Sequence, residues 1–190
     1  MKLNLATILT LIRIAAIPLI AVLFYWPEPW ARPVAAYIFG IGALTDMLDG
    51  YIARNYGQMS RFGAFLDPVA DKLMVAISLV LLVQGDPDWY VDIIAIIIIG
   101  REITVSALRE WMATVGAGSK VAVSWIGKFK TTLQMVGIMF MIHREPVLGI
   151  NVYEGGFYLL VLAAALTIWS MWDYLIAAWP SMRSEEDPPA

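Results

Sequence analysis

Long apolar segments separated by short polar breaks are the main feature of this chain. A helix needs about 20 mostly apolar residues to cross a bilayer, and segments of this kind recur along all 190 residues. The breaks contain the glycine, proline, asparagine and aspartate residues that are typical of turns. We therefore predict an all-α integral membrane protein with six transmembrane helices. They span roughly residues 7–25, 33–52, 68–84, 89–112, 121–142 and 156–178.

The composition supports a membrane environment and excludes several classes of function. Hydrophobic residues make up 60% of the chain, more than a soluble domain of this length can bury. Cysteine is absent and there is one histidine, which excludes disulfides and zinc sites built on cysteine or several histidines. The basic residues are few and dispersed, which predicts no nucleic-acid binding. We predict one membrane domain, residues 1–180, followed by a short polar tail, residues 181–190.

The distribution of lysine and arginine predicts the orientation. Cytoplasmic loops carry an excess of these residues, and six spans place both termini on the same side of the membrane. That side holds most of the basic residues, whereas the opposite loops hold only Arg32 and Arg144. Both termini are therefore predicted to be cytoplasmic. His143 is expected to be a solvated loop residue on the opposite side.

Four aspartates lie at the predicted cytoplasmic ends of the second and third segments, in the stretch TDMLDGYIARNYGQMSRFGAFLDPVADK. Asp46 and Asp49 are spaced i,i+3, and Asp67 and Asp71 are spaced i,i+4, so each pair projects from one helix face. Antiparallel packing of the two helices would let the pairs face each other. Clustered carboxylates near a membrane are costly, and a divalent cation removes that cost. The oxygen ligands predict Mg²⁺ or Mn²⁺, as one or two ions.

The residues between the aspartates favour a phosphate ligand. Gly50 and Gly63 allow a ligand to approach the helices closely, and the guanidinium of Arg54 suits bidentate contact with phosphate. Asp67 followed by Pro68 predicts a helix start, with Asp67 as the N-cap. Two other interpretations stay open: carboxylates that only cap helices or pair with nearby basic residues, and a pathway for protons or cations.

As a pattern, the stretch is Asp46-x2-Asp49-Gly50-x2-Ala53-Arg54-x8-Gly63-x3-Asp67-x3-Asp71. It resembles the signature of the CDP-alcohol phosphatidyltransferase family at every defined position. The resemblance implies that the first three aspartates bind divalent metal. It also implies that Asp71 is the general base, with metal binding as an additional role. The residues expected to contact CDP-diacylglycerol are Thr10, Gly50, Arg54, Ser60 and Gly63.

Three further stretches narrow the resemblance. LATILTLIRIAAIP (5–18), GREITVSALREWMA (100–113) and AVSWIGKFKTTLQM (122–135) resemble bacterial members of the family that use sn-glycerol 3-phosphate as the acceptor. The implied reaction converts CDP-diacylglycerol and sn-glycerol 3-phosphate into phosphatidylglycerol phosphate and CMP. The implied location is the bacterial cytoplasmic (inner) membrane, where the active site faces the cytoplasm among membrane lipids. The resemblance also implies a homodimer.

A phosphorylated acceptor needs a second anion site, and basic residues of three segments are candidates for it. They are Arg13, Arg101, Arg109, Lys128 and Lys130. Arg101 and Arg109 are eight residues apart and can share a broad helix face. Ordinary roles compete with this interpretation: Lys128 and Lys130 also suit positive-inside anchoring, and Arg13 can extend its charged end to the membrane interface.

Three alternative functions stay open at this point. A sister phosphatidyltransferase would use serine, inositol phosphate or another alcohol as the acceptor. A membrane prenyltransferase also holds diphosphate through aspartate pairs and magnesium, although the core Gly50-x2-Ala53-Arg54 is unlike that class. A cation transporter would use the same carboxylates to move metal ions without releasing CMP.

Overall fold

Six helices make up the described part of the chain, and their directions alternate. The computed structural model describes residues 5–56, 61–86, 88–115 and 125–183, and within them the side chains of 7–46, 62–63, 65–86, 88–115 and 129–180. The helices are α1 (Leu5–Tyr25), α2 (Ala31–Tyr56), α3 (Arg61–Gly85), α4 (Trp89–Thr114), α5 (Trp125–His143) and α6 (Val152–Arg183). One helix corresponds to each predicted segment, so the all-α class is confirmed.

The buried face of α1 changes from polar to apolar along the helix. Its residues are Thr7, Thr10, Arg13, Ile17, Ile20 and Phe24. Steps of three and four residues place them on one side of the helix. The first three are polar and the last three are apolar. One helix therefore brings polar groups to one end of the bundle and joins the hydrophobic core at the other.

α1 packs along both α2 and α3, whereas the direct contact between α2 and α3 is small. The aspartates of α2 and α3 therefore do not simply face each other, because the polar half of α1 lies between them. The other main contacts are α2 with α5, α5 with α6, and α6 with α4. The core between the helices includes the buried residues Phe39, Met74, Leu82, Ile98, Ile138 and Leu160.

A polar cluster joins the helix ends that lie opposite the aspartates. Asp86, directly after α3, is 5% exposed. It accepts a hydrogen bond from the Tyr153 hydroxyl, and its Oδ1 lies 3.7 Å from Nη1 of Arg144. Arg32, near the start of α2, stacks 4.0 Å from the ring centroid of Phe24. Burial raises the pKa of Asp86, and the two arginines oppose that rise. The end of α2 and the start of α3, which carry the aspartates, therefore lie together at the other end of the bundle.

The helices α5 and α6 cross backbone to backbone at two glycines. A Cβ on Gly137 would lie 3.0 Å from the carbonyl oxygen of Gly156, and a Cβ on Gly156 would lie 2.8 Å from the carbonyl oxygen of Gly137. A side chain at either position would push the helices apart. Small residues at helix crossings allow this close packing in membrane proteins.

Large apolar side chains on the outside of the bundle are exposed. Ile12, Ile41, Ile96 and Trp172 lie on four different helices and are each at least 59% exposed. Soluble proteins rarely expose apolar surface on this scale, whereas lipid is a suitable solvent for it. Within the described residues, two helices are long and apolar enough to cross a membrane, over Thr7–Tyr25 and Val152–Pro180.

Two local expectations are wrong. α3 begins at Arg61, so Asp67 and Pro68 lie inside the helix. The apolar run begins at Pro68, but the helix extends beyond it, and the exposed Pro68 removes only one backbone hydrogen bond. His143 is not a solvated loop residue: it ends α5, is 8% exposed and packs edge-on to the Tyr37 ring, with 5.7 Å between centroids.

Candidate active site

Arg13 joins two of the four aspartates. Its Nη1 lies 2.9 Å from Oδ1 of Asp46 on α2 and 2.5 Å from Oδ1 of Asp71 on α3. The Arg13 side chain is 1% exposed, whereas those of Asp46 and Asp71 are 34% and 32% exposed. The guanidinium is therefore buried beside carboxylates that keep an open face. The burial of Arg13 requires these partners because an unpaired buried charge is costly.

The third aspartate is held by the same helix. Thr10, one turn before Arg13, is buried and donates its hydroxyl hydrogen to Oδ1 of Asp67. Asp67 is one turn before Asp71 on α3, as the spacing predicts. α1 therefore contacts carboxylates on both neighbouring helices. We name the following residues the acidic cluster: Thr10, Arg13, Asp46, Asp67 and Asp71.

Gly42 permits the close packing that forms the acidic cluster. A Cβ at Gly42 would lie 3.1 Å from Sδ of Met74 and 3.6 Å from Cγ of Arg13. Side chains of α1 and α3 thus both pack against one glycine of α2. Gly42 was not among the predicted site residues. Its position one turn before Asp46 was a usable signal, since a glycine there lets neighbouring helices approach a functional side chain.

Several predicted site residues are placed by their backbone alone. Asp49, Gly50 and Arg54 lie in the final part of α2, and their side chains are outside the described set. Gly63 is buried near the start of α3, one turn before Asp67. Ser60 lies outside the described residues. The backbone of α2 keeps the predicted spacing of Asp49, Gly50 and Arg54 from Asp46, and the backbone of α3 keeps that of Gly63 from Asp67.

A second cluster at the same end of the bundle gathers positive charge. Arg101 on α4 is 9% exposed and places Nη1 2.5 Å from Oε1 of Glu102. Lys130 on α5 is 1% exposed. Arg101, Glu102 and Arg109 all interact electrostatically with Lys130. Three of the predicted acceptor-site residues therefore lie together, and of Lys128 only the backbone in α5 is described.

The helix α6 supplies two residues to this cluster that were not predicted. Lys130 Nζ donates to Ser170 Oγ over 3.3 Å, and Arg109 Nη2 donates to Tyr174 Oη over 2.8 Å. Ser170 and Tyr174 are four residues apart on a largely apolar helix, which was the available signal. We name the following residues the basic pocket: Arg101, Glu102, Arg109, Lys130, Ser170 and Tyr174.

The donor atoms of the acidic cluster suit a hard divalent cation. Its three carboxylates are balanced by one guanidinium, so the cluster keeps excess negative charge on partly exposed oxygens. Among the described side chains, no three acidic or histidine groups are close enough to form a metal site by themselves. Asp49, three residues after Asp46 on α2, is a predicted metal ligand whose side chain lies outside the described set. Carboxylate oxygens are the ligands that Mg²⁺ prefers.

Known proteins resemble this chain over almost its whole length. Residues 3–170 match the CDP-alcohol phosphatidyltransferase family. The chain belongs to this family. The exposed apolar surface and the two strongly apolar helices of this CDP-alcohol phosphatidyltransferase are consistent with a membrane protein.

Two similar members of the family carry the same name. The chain is 52% identical over 178 residues to the CDP-diacylglycerol–glycerol-3-phosphate 3-phosphatidyltransferase of Salmonella choleraesuis (strain SC-B67), covering 94% of this chain and 96% of the relative. It is 50% identical over 182 residues to the protein of that name from Yersinia enterocolitica, covering 96% and 98%.

Proposed function

We propose that this protein transfers the phosphatidyl group of CDP-diacylglycerol to sn-glycerol 3-phosphate, giving phosphatidylglycerol phosphate and CMP. The relatives of that name, about half identical over nearly the whole chain, support the choice of substrates. The observation that carries the proposal is the presence of two sites of opposite charge at one end of the bundle. Membership in a transferase family also favours this reaction over cation transport.

The acidic cluster is proposed to hold the metal and the diphosphate. Asp46, Asp49, Asp67 and Asp71 would bind Mg²⁺ or Mn²⁺, which would neutralise the diphosphate and stabilise the departing CMP. Thr10 orients Asp67 through its hydroxyl and so acts on the nucleotide site through that carboxylate. The CDP head group would contact Gly50, Arg54, Ser60 and Gly63.

Asp71 is proposed as the general base. The reaction forms a bond between the glycerol 1-hydroxyl oxygen and the β-phosphorus that carries the diacylglycerol. It breaks the bond from that phosphorus to the oxygen that leaves with CMP. A positioned carboxylate assists such an attack by accepting the hydroxyl proton. Oδ1 of Asp71 accepts a hydrogen bond from Arg13. We therefore propose that Oδ2 of Asp71 is the atom that accepts the proton of the glycerol 1-hydroxyl.

The basic pocket is proposed to bind the phosphate of the acceptor. The basic pocket contains three cations and one carboxylate, that of Glu102, which contacts Arg101 and interacts with Lys130. Its excess positive charge suits a phosphate monoester dianion. Lys128, two residues before Lys130 on α5, is proposed to add to the positive charge of this site. Arg13, by contrast, contacts the aspartates, so we place it on the metal side.

The membrane arrangement completes the proposal. Six helices would cross the bacterial inner membrane with both termini and the two charged sites at the cytoplasmic face, as the lysine and arginine bias predicts. The acyl chains of the substrate would stay in the leaflet beside the exposed apolar helix faces while the head group reaches the acidic cluster. A homodimer is the oligomeric state that the family resemblance implies.

A single assay tests the function. Purified protein in vesicles receives CDP-diacylglycerol, Mg²⁺ or Mn²⁺, and one alcohol from a panel of sn-glycerol 3-phosphate, serine and inositol phosphate. We expect CMP release with sn-glycerol 3-phosphate and little with the others. Turnover with serine or inositol phosphate and none with sn-glycerol 3-phosphate would contradict the assignment. Metal flux across the vesicles without CMP release would instead support a transporter.

A further inference from the structure

One face of α6 carries three buried polar residues in its second half. Thr167, Ser170 and Tyr174 are 1%, 8% and 9% exposed, and spacings of three and four residues place them on one side of the helix. Buried polar groups in an apolar helix are costly unless they have partners. Two of these three have partners among the cations of the basic pocket.

Ser170 is oriented to receive an ammonium group. Its Oγ donates its only hydrogen to the carbonyl oxygen of Thr167, over 3.0 Å. The oxygen lone pairs are therefore left to accept a hydrogen bond, which Lys130 Nζ donates over 3.3 Å. An ammonium has three N–H donors, so this contact fixes the direction of Lys130 and leaves donors for an anion.

Tyr174 holds Arg109 in two ways. Its Oη accepts a hydrogen bond from Nη2 of Arg109, and its ring centroid lies 5.1 Å from the guanidinium carbon. The ring is fixed in a small core with Leu108 and Met112 of α4. A neutral partner such as the Tyr174 hydroxyl orients the guanidinium and leaves its positive charge in place. A carboxylate at this position would neutralise that charge.

We propose that Ser170 and Tyr174 are positioning residues that aim Lys130 and Arg109 at the phosphate of the acceptor alcohol. This inference rests on the proposed function of the basic pocket. α6 then determines how tightly a phosphorylated acceptor binds, although neither residue needs to touch the phosphate. The CDP-diacylglycerol site, which lies around the acidic cluster, does not depend on these two contacts.

The test measures KM for each substrate separately in the Ser170→Ala and Tyr174→Phe variants. Loss of one hydrogen bond to a charged group is expected to raise KM for sn-glycerol 3-phosphate about tenfold. KM for CDP-diacylglycerol and kcat should change less than about threefold. Ser170→Thr restores a hydroxyl and should return KM towards the wild-type value. Tyr158→Phe, which alters an exposed tyrosine near the other end of α6, is the matched control.

The outcomes separate this inference from the proposed function. If the wild-type protein uses sn-glycerol 3-phosphate and both variants keep its KM, the positioning roles are wrong and the function stands. Equal increases in both KM values together with a lower Tm would also overturn the inference, because they indicate a general structural role. If the wild-type protein uses only unphosphorylated alcohols, the proposed function itself is wrong.

Discussion

The acidic cluster and the basic pocket lie at the same end of the bundle and have opposite charge balances. In the acidic cluster, two of the three carboxylates contact one guanidinium that is buried on α1, and the third accepts a hydrogen bond from Thr10. In the basic pocket, one of the three cations contacts a carboxylate, and each of the other two donates a hydrogen bond to a neutral hydroxyl group. Under the proposed function, the acidic cluster would hold the cation-bound diphosphate and the basic pocket would hold the phosphorylated alcohol. Mutations in the two clusters should therefore affect different kinetic parameters.

The largest expected effect comes from the acidic cluster. Asp71→Asn removes the proposed base and should lower kcat by about a thousandfold, while CDP-diacylglycerol binding is largely retained. Turnover is followed as CMP release, and substrate binding by equilibrium binding to protein in vesicles. Asp173→Asn changes an exposed carboxylate on α6 and should keep the wild-type rate. A near-normal kcat for Asp71→Asn would contradict the proposal that Asp71 is the general base.

A mutation in the basic pocket should act on the acceptor alone. Arg101→Gln removes a buried cation and should raise KM for sn-glycerol 3-phosphate by about 10- to 100-fold, because hydrogen bonds to charged groups are the strong ones. KM for CDP-diacylglycerol should stay within about threefold of the wild-type value. Arg144→Gln, at the opposite end of the bundle, is the control. An unchanged acceptor KM in Arg101→Gln would exclude this residue from the pocket.

Arg13 should influence metal affinity. Its guanidinium and the proposed divalent cation would compete for oxygens of Asp46 and Asp71, so Arg13→Gln is expected to tighten Mn²⁺ binding about tenfold. The dissociation constant is measured directly from the signal of free Mn²⁺, without turnover. Arg13→Lys keeps the positive charge and should bind Mn²⁺ about as the wild type does. Weaker Mn²⁺ binding in Arg13→Gln would mean that Arg13 supports the metal site and does not compete with it.

The smallest effect is expected at a glycine. Gly42→Ala places a methyl group 3.1 Å from Sδ of Met74, and overpacking of this kind costs about 1–3 kcal/mol. The Tm should fall by several degrees and kcat by a few fold, because Arg13 packs against the same position. Gly100→Ala is a matched control, since a Cβ there meets nothing within 4 Å. It should be neutral or stabilising by up to about 1 kcal/mol. Equal Tm values for the two variants would contradict the packing argument.

Much of the fold could be predicted because the governing features are local. Each apolar segment became a helix, and the spacing of Asp67 and Asp71 placed both on one face of α3. The predicted start of α3 was wrong because hydropathy identifies the apolar part of a helix and not the residues at which the helix begins and ends. Residues 61–66 belong to the same helix but lie outside the apolar run.

The composition of the candidate site was harder to predict because it depends on packing between helices. Arg13 was assigned to the acceptor by its charge, but its partners are set by the position of α1 between α2 and α3. Ser170 and Tyr174 were missed since isolated polar residues in an apolar helix carry little signal. Their contacts with Lys130 and Arg109 depend on the packing of α6 against α5 and α4.

The crossing of α5 and α6 at Gly137 and Gly156 has a consequence for Lys130. Because a Cβ at either glycine would collide with the other helix, only glycine allows the two backbones to lie this close. The same packing of α5 on α6 holds Lys130 Nζ 3.3 Å from Ser170 Oγ. A larger residue at either crossing point would therefore be felt at a buried ammonium group, whose burial is costly without a hydrogen-bond acceptor.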